Sequence, residues 1–95
     1  NIAGPEVENV LLEHACVQEC AVVGEPDEER GHIVKAYIVL RQGHFPGDSL
    51  VKDLQDFVKA RIAPYKYPRS VEFTDSLPKT LTGKLQRFRL RERAE

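Results

Sequence analysis

Several features common in proteins are scarce or missing in this sequence of 95 residues. It contains no Met, no Trp and only two Cys, and aromatic residues make up 7% of it. No apolar run approaches the roughly 18 to 20 residues that a helix needs to cross a bilayer, and the first residues show no signal-peptide pattern. We therefore expect a single domain over residues 1–95 without a membrane span. Because even an initiating Met is missing, we also expect the sequence to be part of a longer chain.

The two cysteines, Cys16 and Cys20, are too few for the disulfide framework of a small secreted protein. His14 lies two residues before the first of them, which gives a partial zinc-ligand pattern. Structural zinc usually has four ligands, however, and His32 and His44 lie far along the chain. We therefore predict no metal site, two reduced and partly buried thiols, and a reducing compartment such as the cytoplasm.

Charge is distributed unevenly, although the net charge is only −1. Residues 1–29 contain acidic side chains and no Lys or Arg, whereas residues 84–93 are strongly basic. The basic side chains at that end are Lys84, Arg87, Arg89, Arg91 and Arg93. A basic end suits an anionic partner, such as the phosphates of a nucleotide or nucleic acid. From charge alone, a solvated tail is the simplest explanation.

The order of apolar and turn-forming residues predicts an α+β fold. One helix is expected over residues 5–14, a second from a cap at Asp48 or Ser49 to Pro64, and a third over residues 84–93. Strands are expected over residues 17–23, 34–40 and 68–73, with a turn at residues 24–27 between the first two. The prediction is a small three-stranded sheet with an N-terminal hairpin and packed helices, and both faces of its second strand are expected to be covered.

Common catalytic motifs are missing from the sequence. It contains no Gly-rich dinucleotide loop, no Walker loop and no nucleophile elbow, so we expect the chain to supply a few residues to a site built mostly elsewhere. The best candidate is the loop at residues 77–84, where Gly83 permits an unusual backbone turn and Lys84 carries a long-reaching positive charge. Such a charge can stabilise phosphate or carboxylate oxygens in a transition state. Without further information, an ordinary surface lysine is the simpler interpretation.

The same loop resembles a motif of adenylate-forming enzymes. Pro78-Lys79-Thr80-Leu81-Thr82-Gly83-Lys84-Leu85 is similar to the Pro-Lys-Thr-x-x-Gly-Lys-Ile motif that ends the superfamily of acyl-CoA synthetases, firefly luciferase and peptide-synthetase adenylation domains. Residues 1–8, 21–36 and 63–69 resemble three further motifs of that superfamily, in the right order. One departure is that Pro5 directly precedes Glu6, where many relatives have the Pro two residues earlier. The chain thus resembles the C-terminal, mobile lid domain of such an enzyme, with the large N-terminal domain upstream of Asn1.

The resemblance implies an AMP-forming acid–CoA ligase, which uses ATP to convert a carboxylic acid into an acyl-adenylate and then transfers the acyl group to CoA. It implies that Lys84 is the catalytic lysine of adenylation. It implies that CoA is contacted by Tyr65, Lys66, Arg69 and Arg30, whose other interpretation is a packed aromatic and solvated charges. The expected cofactors are ATP, CoA and Mg²⁺, with the Mg²⁺ ligands on the N-terminal domain. The isolated chain is expected to be inactive.

The branch of the superfamily is indicated by two short segments. Residues 64–69 and 83–87 look most like medium-chain or benzoate-type acid–CoA ligases, because peptide-synthetase domains tend towards Pro-x-Tyr-Met-x-Pro and Asn-Gly-Lys. The first alternative is an adenylation domain that serves a carrier protein. The second is a non-catalytic module that binds anions or nucleic acid. Phe88 is the only aromatic residue in the basic segment, so we expect no nucleic acid partner. Arg87 and Arg89 are left either as contacts of pyrophosphate or the large domain, or as solvated charges.

Overall fold

The structure is a computed structural model that describes residues 4–94. It contains three α-helices, three β-strands and one short 3₁₀ turn. In chain order these are α1 (Gly4–Leu11), β1 (Val17–Asp27), β2 (Gly31–Leu40), α2 (Asp48–Lys59), the 3₁₀ turn (Pro64–Lys66), β3 (Ser70–Phe73) and α3 (Arg87–Ala94). Among these residues no helix is long and apolar enough to cross a membrane.

The three strands form one mixed sheet in the order β1-β2-β3. β1 and β2 are an antiparallel hairpin, in which Cys20 lies opposite Ile38. β3 runs parallel to β2, with Val71 opposite Ala36, and α2 lies in the connection between them. A parallel neighbour needs such a crossover, whereas a hairpin needs only a turn. The predicted α+β class, with a three-stranded sheet and an N-terminal hairpin, is confirmed.

The core lies on both faces of the sheet, because successive side chains of a strand point to opposite sides. On one face, Cys20 and Val22 of β1 and Ile38 of β2 pack against α1 and α2. On the other face, Ala21, Val23, Tyr37 and Val39 pack against Leu77 and Leu90, the latter from α3. We call these the α1–α2 face and the α3 face. The sequence prediction that both faces of the second strand are covered is confirmed.

The β1–β2 hairpin is longer than the sequence predicted. The expected turn at residues 24–27 is the end of β1, and the chain reverses at residues 28–30 instead. Pro26 is tolerated there because β1 is an edge strand. The reversal is stabilised by Asp27, whose carboxylate accepts the backbone N–H of Glu29 at 3.2 Å and of Arg30 at 3.0 Å. A carboxylate that bonds to the backbone ahead of it is a common turn device, and here it places the turn later than Gly and Pro alone suggest.

Helix ends differ from the prediction in four places. α1 ends at Leu11 and not near residue 14. Gly47, and not Asp48 or Ser49, precedes α2, and no side chain caps that helix. α2 ends at Lys59, so Pro64 is not what terminates it. α3 begins at Arg87 and not at residue 84, since the residues before it are held in the loop described below.

Both cysteines are buried free thiols, as predicted. Burial raises the pKa of Cys20 to about 12, and the nearby Glu8 carboxylate adds to the shift. The Cys20 Sγ lies 3.5 Å from the Glu8 carbonyl oxygen. At neutral pH this thiol is therefore protonated, and it acts as a small core residue and not as a nucleophile.

Candidate functional site

The loop that carries Lys84 is a compact hairpin, which we call the lysine hairpin (residues 78–86). Its two legs pair through an antiparallel bridge between Lys79 and Leu85. The Gln86 N–H donates to the Pro78 carbonyl at 2.9 Å, and the Thr80 N–H donates to the Lys84 carbonyl at 2.9 Å. These backbone hydrogen bonds define the position of Lys84 relative to the start of α3, so the hairpin is a structured element and not a flexible loop.

The tip of the lysine hairpin is a tight turn that requires glycine. Gly83 has a φ of 87°, in the left-handed region that residues with a Cβ rarely adopt. The Thr80 hydroxyl oxygen accepts the Lys84 N–H at 3.0 Å, and it lies 3.0 Å from the Thr82 hydroxyl. The prediction that Gly83 permits an unusual turn is confirmed. The two threonines of the motif stabilise this turn, because their hydroxyl groups hydrogen-bond to each other and Thr80 also binds the backbone.

Lys84 leaves the turn on the exposed side. Within the part of the chain that the structure describes, its ammonium group has no salt-bridge or hydrogen-bond partner. Leu81, at the tip, is fully exposed as well. A solvated ammonium group on a structured turn is suited to reach a negatively charged group outside the domain. The hairpin therefore presents one available positive charge beside an exposed apolar side chain.

The two lysines of the motif have different environments. Lys79 lies at the base of the hairpin, and its Nζ is 2.5 Å from the Glu19 carboxylate of β1. Leu77 is buried and Leu85 is partly buried next to the core of the α3 face. The base is therefore tied to the sheet by one ion pair and by apolar contacts, and only Lys84 remains available.

Arg87, the first residue of α3, has a partner inside the domain. Its Nε donates to Glu8 Oε2 at 3.0 Å, and its Nη2 donates to Glu8 Oε1 at 2.5 Å. Glu8 Oε2 also accepts the Val22 N–H at 2.8 Å. These hydrogen bonds to Glu8 raise the pKa of Arg87. The sequence did not indicate this internal ion pair, and a contact of Arg87 with pyrophosphate or the large domain stays a prediction.

Of the residues expected to contact CoA, Tyr65 and Lys66 lie side by side in the 3₁₀ turn. The Tyr65 ring is 75% exposed and free to stack. Lys66 Nζ lies 2.6 Å from the Glu6 carboxylate, and this hydrogen bond raises the pKa of Lys66. Lys66 thus forms an ion pair with a residue of α1, which the sequence did not indicate.

The other two, Arg69 and Arg30, lie outside the residues of that turn. Arg69 Nη1 donates to the Tyr67 hydroxyl at 2.9 Å, and its guanidinium lies 5.0 Å from the centre of that ring. Arg30 is half-exposed in the β1–β2 turn, with Nη1 4.0 Å from Asp27. The Arg69 N–H bonds to the carbonyl of Val34, so Arg69 is near the beginning of β2. The lysine hairpin is tied to the beginning of β1, which is the opposite end of an antiparallel pair.

The metal-binding side chains among residues 4–94 do not cluster. No group of three or more His, Cys, Asp or Glu side chains in this range lies close enough together to hold a metal ion. Mg²⁺ is bound through oxygen ligands, and the acidic side chains near the site are used in ion pairs to Lys79, Lys66 and Arg87. That the Mg²⁺ ligands lie on an N-terminal domain stays a prediction.

The described residues form a small α+β domain that presents one exposed lysine on a structured hairpin. Comparison with known proteins makes this specific. The sequence matches the AMP-binding enzyme C-terminal domain over residues 6–84, which is most of the chain. The chain belongs to this family, and the resemblance inferred from its motifs is confirmed.

The relatives of this chain are acid–CoA ligases. It is 57% identical over 93 residues to an uncharacterized acyl–CoA ligase of Bacillus subtilis, a match that covers 97% of this chain and 18% of that protein. It is 55% identical over 86 residues to the benzoate–CoA ligase of Thauera aromatica, covering 90% of this chain and 16% of that one. Among solved structures, an acyl-CoA synthetase of Brucella canis superposes with a TM-score of 0.95 and 43% identity over 98% of this chain and 17% of that chain. The chain thus spans less than a fifth of the length of these relatives.

Proposed function

We propose that this chain is the C-terminal lid domain of an AMP-forming acid–CoA ligase, and that Lys84 is its adenylation lysine. The observation that carries the proposal is the position of Lys84. It is an exposed residue in the segment that resembles the family's adenylation motif, on a hairpin whose other lysine is already paired. The relatives are acid–CoA ligases, and the lid would act on a site in the large N-terminal domain of the same chain.

In the first step, the carboxylate oxygen of the acid attacks the α-phosphorus of ATP, an O–P bond forms, and pyrophosphate leaves. The contribution of this chain is electrostatic and positional, as expected for phosphoryl chemistry. The Lys84 ammonium group would lie against the acid carboxylate and the nucleotide, where it offsets the negative charge that the two anions bring together. The hydrogen bonds of the lysine hairpin would keep that charge oriented, which reduces the entropy lost on reaching the transition state.

In the second step, the sulfur of CoA attacks the acyl carbon, AMP leaves, and a thioester forms. We propose that Tyr65, Lys66, Arg69 and Arg30 meet the nucleotide end of CoA. An exposed Tyr ring can stack on adenine, and Lys and Arg can bind phosphates. Support comes from the separation of two of these groups from Lys84. Arg69 and Arg30 lie near one end of the β1–β2 pair, and the lysine hairpin is tied to the other. A lid that reorients between the two steps could use each end in turn.

The remaining assignments follow from the relatives and not from this domain. Mg²⁺ would neutralise the leaving pyrophosphate, with ligands on the N-terminal domain. A medium-chain or aromatic acid is proposed as the substrate, in line with the benzoate–CoA ligase relative. A reducing compartment such as the cytoplasm is proposed because both buried cysteines are free thiols.

The proposed function predicts activity in the two-domain protein and none in the lid alone. With ATP, Mg²⁺, CoA and a panel of medium-chain and aromatic acids, the two-domain protein is expected to release pyrophosphate and AMP and to form the acyl-CoA. The 95-residue chain is expected to give no detectable turnover, because the acid pocket and the Mg²⁺ ligands are proposed to lie on the N-terminal domain. A panel that yields pyrophosphate without any thioester would instead favour an enzyme that serves another acceptor, such as a carrier protein.

The CoA assignment predicts a selective effect of Tyr65→Ala. If adenine stacks on this ring, its loss is expected to raise the KM for CoA about tenfold, since base–aromatic stacking contributes about 1–3 kcal/mol. Pyrophosphate release in the first step should be unchanged. Phe45→Ala is a matched control, because Phe45 is an equally exposed aromatic residue in the β2–α2 loop. An unchanged KM in Tyr65→Ala, or an equal rise in both variants, would remove Tyr65 from the CoA site.

A further inference from the structure

The contact between Glu8 and Arg87 joins parts of the domain that lie far apart in sequence. Glu8 is on α1, close to the N-terminal end of the chain, and Arg87 is three residues after Lys84. Glu8 is buried, with 8% of the residue exposed. Its carboxylate accepts three hydrogen bonds, two from Arg87 and one from the Val22 N–H. Because the carboxylate is buried and makes three hydrogen bonds, we expect this contact to be a fixed part of the fold. We call the Glu8–Arg87 contact the junction.

The junction lies at the open edge of the sheet. β1 is an edge strand, with β2 on one side only, so the Val22 N–H has no partner strand to bind. α1 covers one face of the sheet and α3 the other, and the Glu8–Arg87 pair connects them around this edge. Covering an edge in this way also protects it from pairing with another chain.

The geometry of the pair favours Arg over Lys. Both oxygens of the carboxylate bind Arg87 nitrogens, and such a two-point contact fixes orientation as well as distance. Removing either partner would leave a partly buried charge without compensation, which is more costly than losing an exposed pair. The ion pair of Lys79 with Glu19 is a single contact, and its carboxylate is more exposed than that of Glu8, so we expect it to matter less.

A short series of hydrogen bonds connects the Glu8–Arg87 contact to Lys84. Gln86, next to Arg87, donates to Pro78 across the base of the lysine hairpin, and Lys84 itself bonds to Thr80 in the turn. Displacement of Arg87 would therefore displace the hairpin. We propose that Glu8 and Arg87 are positioning residues for Lys84, which tie the lysine hairpin to α1 so that the two reorient as one body. This inference rests on the proposed function of Lys84.

The test uses the two-domain ligase and separates the two half-reactions. Arg87→Gln, Glu8→Gln and the double variant are compared with Arg91→Gln, since Arg91 lies on the same helix, is exposed and has no salt bridge among the described residues. Gln at position 8 can still accept the Val22 N–H, so that variant removes the charge and keeps the edge covered. Pyrophosphate release reports the first step, and CoA transfer from pre-formed acyl-adenylate reports the second.

We expect each single variant to lower kcat of adenylation about 10- to 100-fold, as displacement of a catalytic group by about 1 Å does. The KM values for ATP and acid, and the transfer step, should change less than about threefold. The double variant should lose no more than the worse single variant, because both substitutions break one contact. Arg87→Lys, which keeps the charge and one hydrogen bond, should recover part of the lost rate. Arg91→Gln should behave like wild type.

Other outcomes overturn the proposal. Equal losses in both half-reactions would show that the pair only maintains the fold, and additive losses in the double variant would show that the residues act separately. If Arg87→Gln does not fold, Arg87→Lys decides: wild-type adenylation in a folded Arg87→Lys enzyme rejects a two-point positioning role.

Lys84→Ala, measured beside these variants, distinguishes failure of the inference from failure of the proposed function. A loss there without a loss in Arg87→Gln rejects the positioning role alone, whereas wild-type adenylation in Lys84→Ala rejects the proposed function and the inference with it.

Discussion

Lys84→Ala is expected to lower the rate of adenylate formation by about 100- to 1,000-fold in the two-domain enzyme, the loss typical of removing one charge-stabilising group from an active site. The expected effect is this large because the reaction brings a carboxylate and a polyphosphate together, and Lys84 is the lysine of the hairpin whose charge is not already compensated within the described residues. CoA transfer from pre-formed acyl-adenylate should remain close to wild type. The measurement is pyrophosphate release beside thioester formation, each followed separately.

Lys79→Ala is the matched control for this prediction. It lies in the same motif and the same hairpin, but its ammonium group is bound to Glu19 at 2.5 Å. Its loss should cost less than about fivefold in either step, since a partly exposed ion pair contributes only about 0–1 kcal/mol. A larger adenylation defect in Lys79→Ala than in Lys84→Ala would reverse the assignment. Unchanged rates in both steps for Lys84→Ala would make it an ordinary surface lysine, whatever the family of the domain.

Much of the fold could be predicted from local sequence patterns. The β-branched residues of β2 and the 3.6-residue apolar spacing of α2 report directly on burial, which is why the sheet and this helix were predicted near their observed positions. Gly83 was singled out for the same kind of reason, since a positive φ is a local property. The end of β1 was predicted wrongly because Gly24 and Pro26 are turn-forming residues only when no partner strand is available.

The contacts that hold the candidate site together could not be predicted in this way. Glu8 and Arg87 are separated by 79 positions, and no periodicity links them. Glu8 lies in the segment of residues 1–8 that resembles a family motif, but this resemblance does not identify a partner. Lys66 and Glu6 are a similar case, 60 positions apart. Pairing of charges across the fold follows from tertiary structure, so sequence patterns alone describe the charges as solvated.

The apolar residues of the last segment show the same limit and lead to a second prediction. The final helix predicted over residues 84–93 contains three apolar or aromatic side chains, Leu85, Phe88 and Leu90. In the structure Leu90 is fully buried on the α3 face, Leu85 is partly buried next to it, and Phe88 is 52% exposed. α3 is short and highly charged, so its attachment to the sheet depends strongly on one side chain.

Leu90→Ala is therefore expected to lower the free energy of unfolding of the 95-residue chain by about 2–5 kcal/mol, the range found when a fully buried Leu is truncated in a core. This is a large part of the roughly 5–15 kcal/mol that stabilises an ordinary domain. The hydrogen bond from the Tyr37 hydroxyl, at 3.3 Å, is accepted by the backbone carbonyl of residue 90 and is available in both proteins, so the change reports side-chain packing. Urea denaturation followed by circular dichroism measures it.

Phe88→Ala removes a larger side chain from the same helix and provides the control. Because about half of that ring is in contact with water, its loss should change the free energy of unfolding by less than about 1 kcal/mol. Similar losses in the two variants would mean that α3 is held in another orientation, with Phe88 against the sheet. That orientation would also move Arg87, at the start of α3, away from Glu8, so this stability measurement tests the geometry on which the role of the lysine hairpin depends.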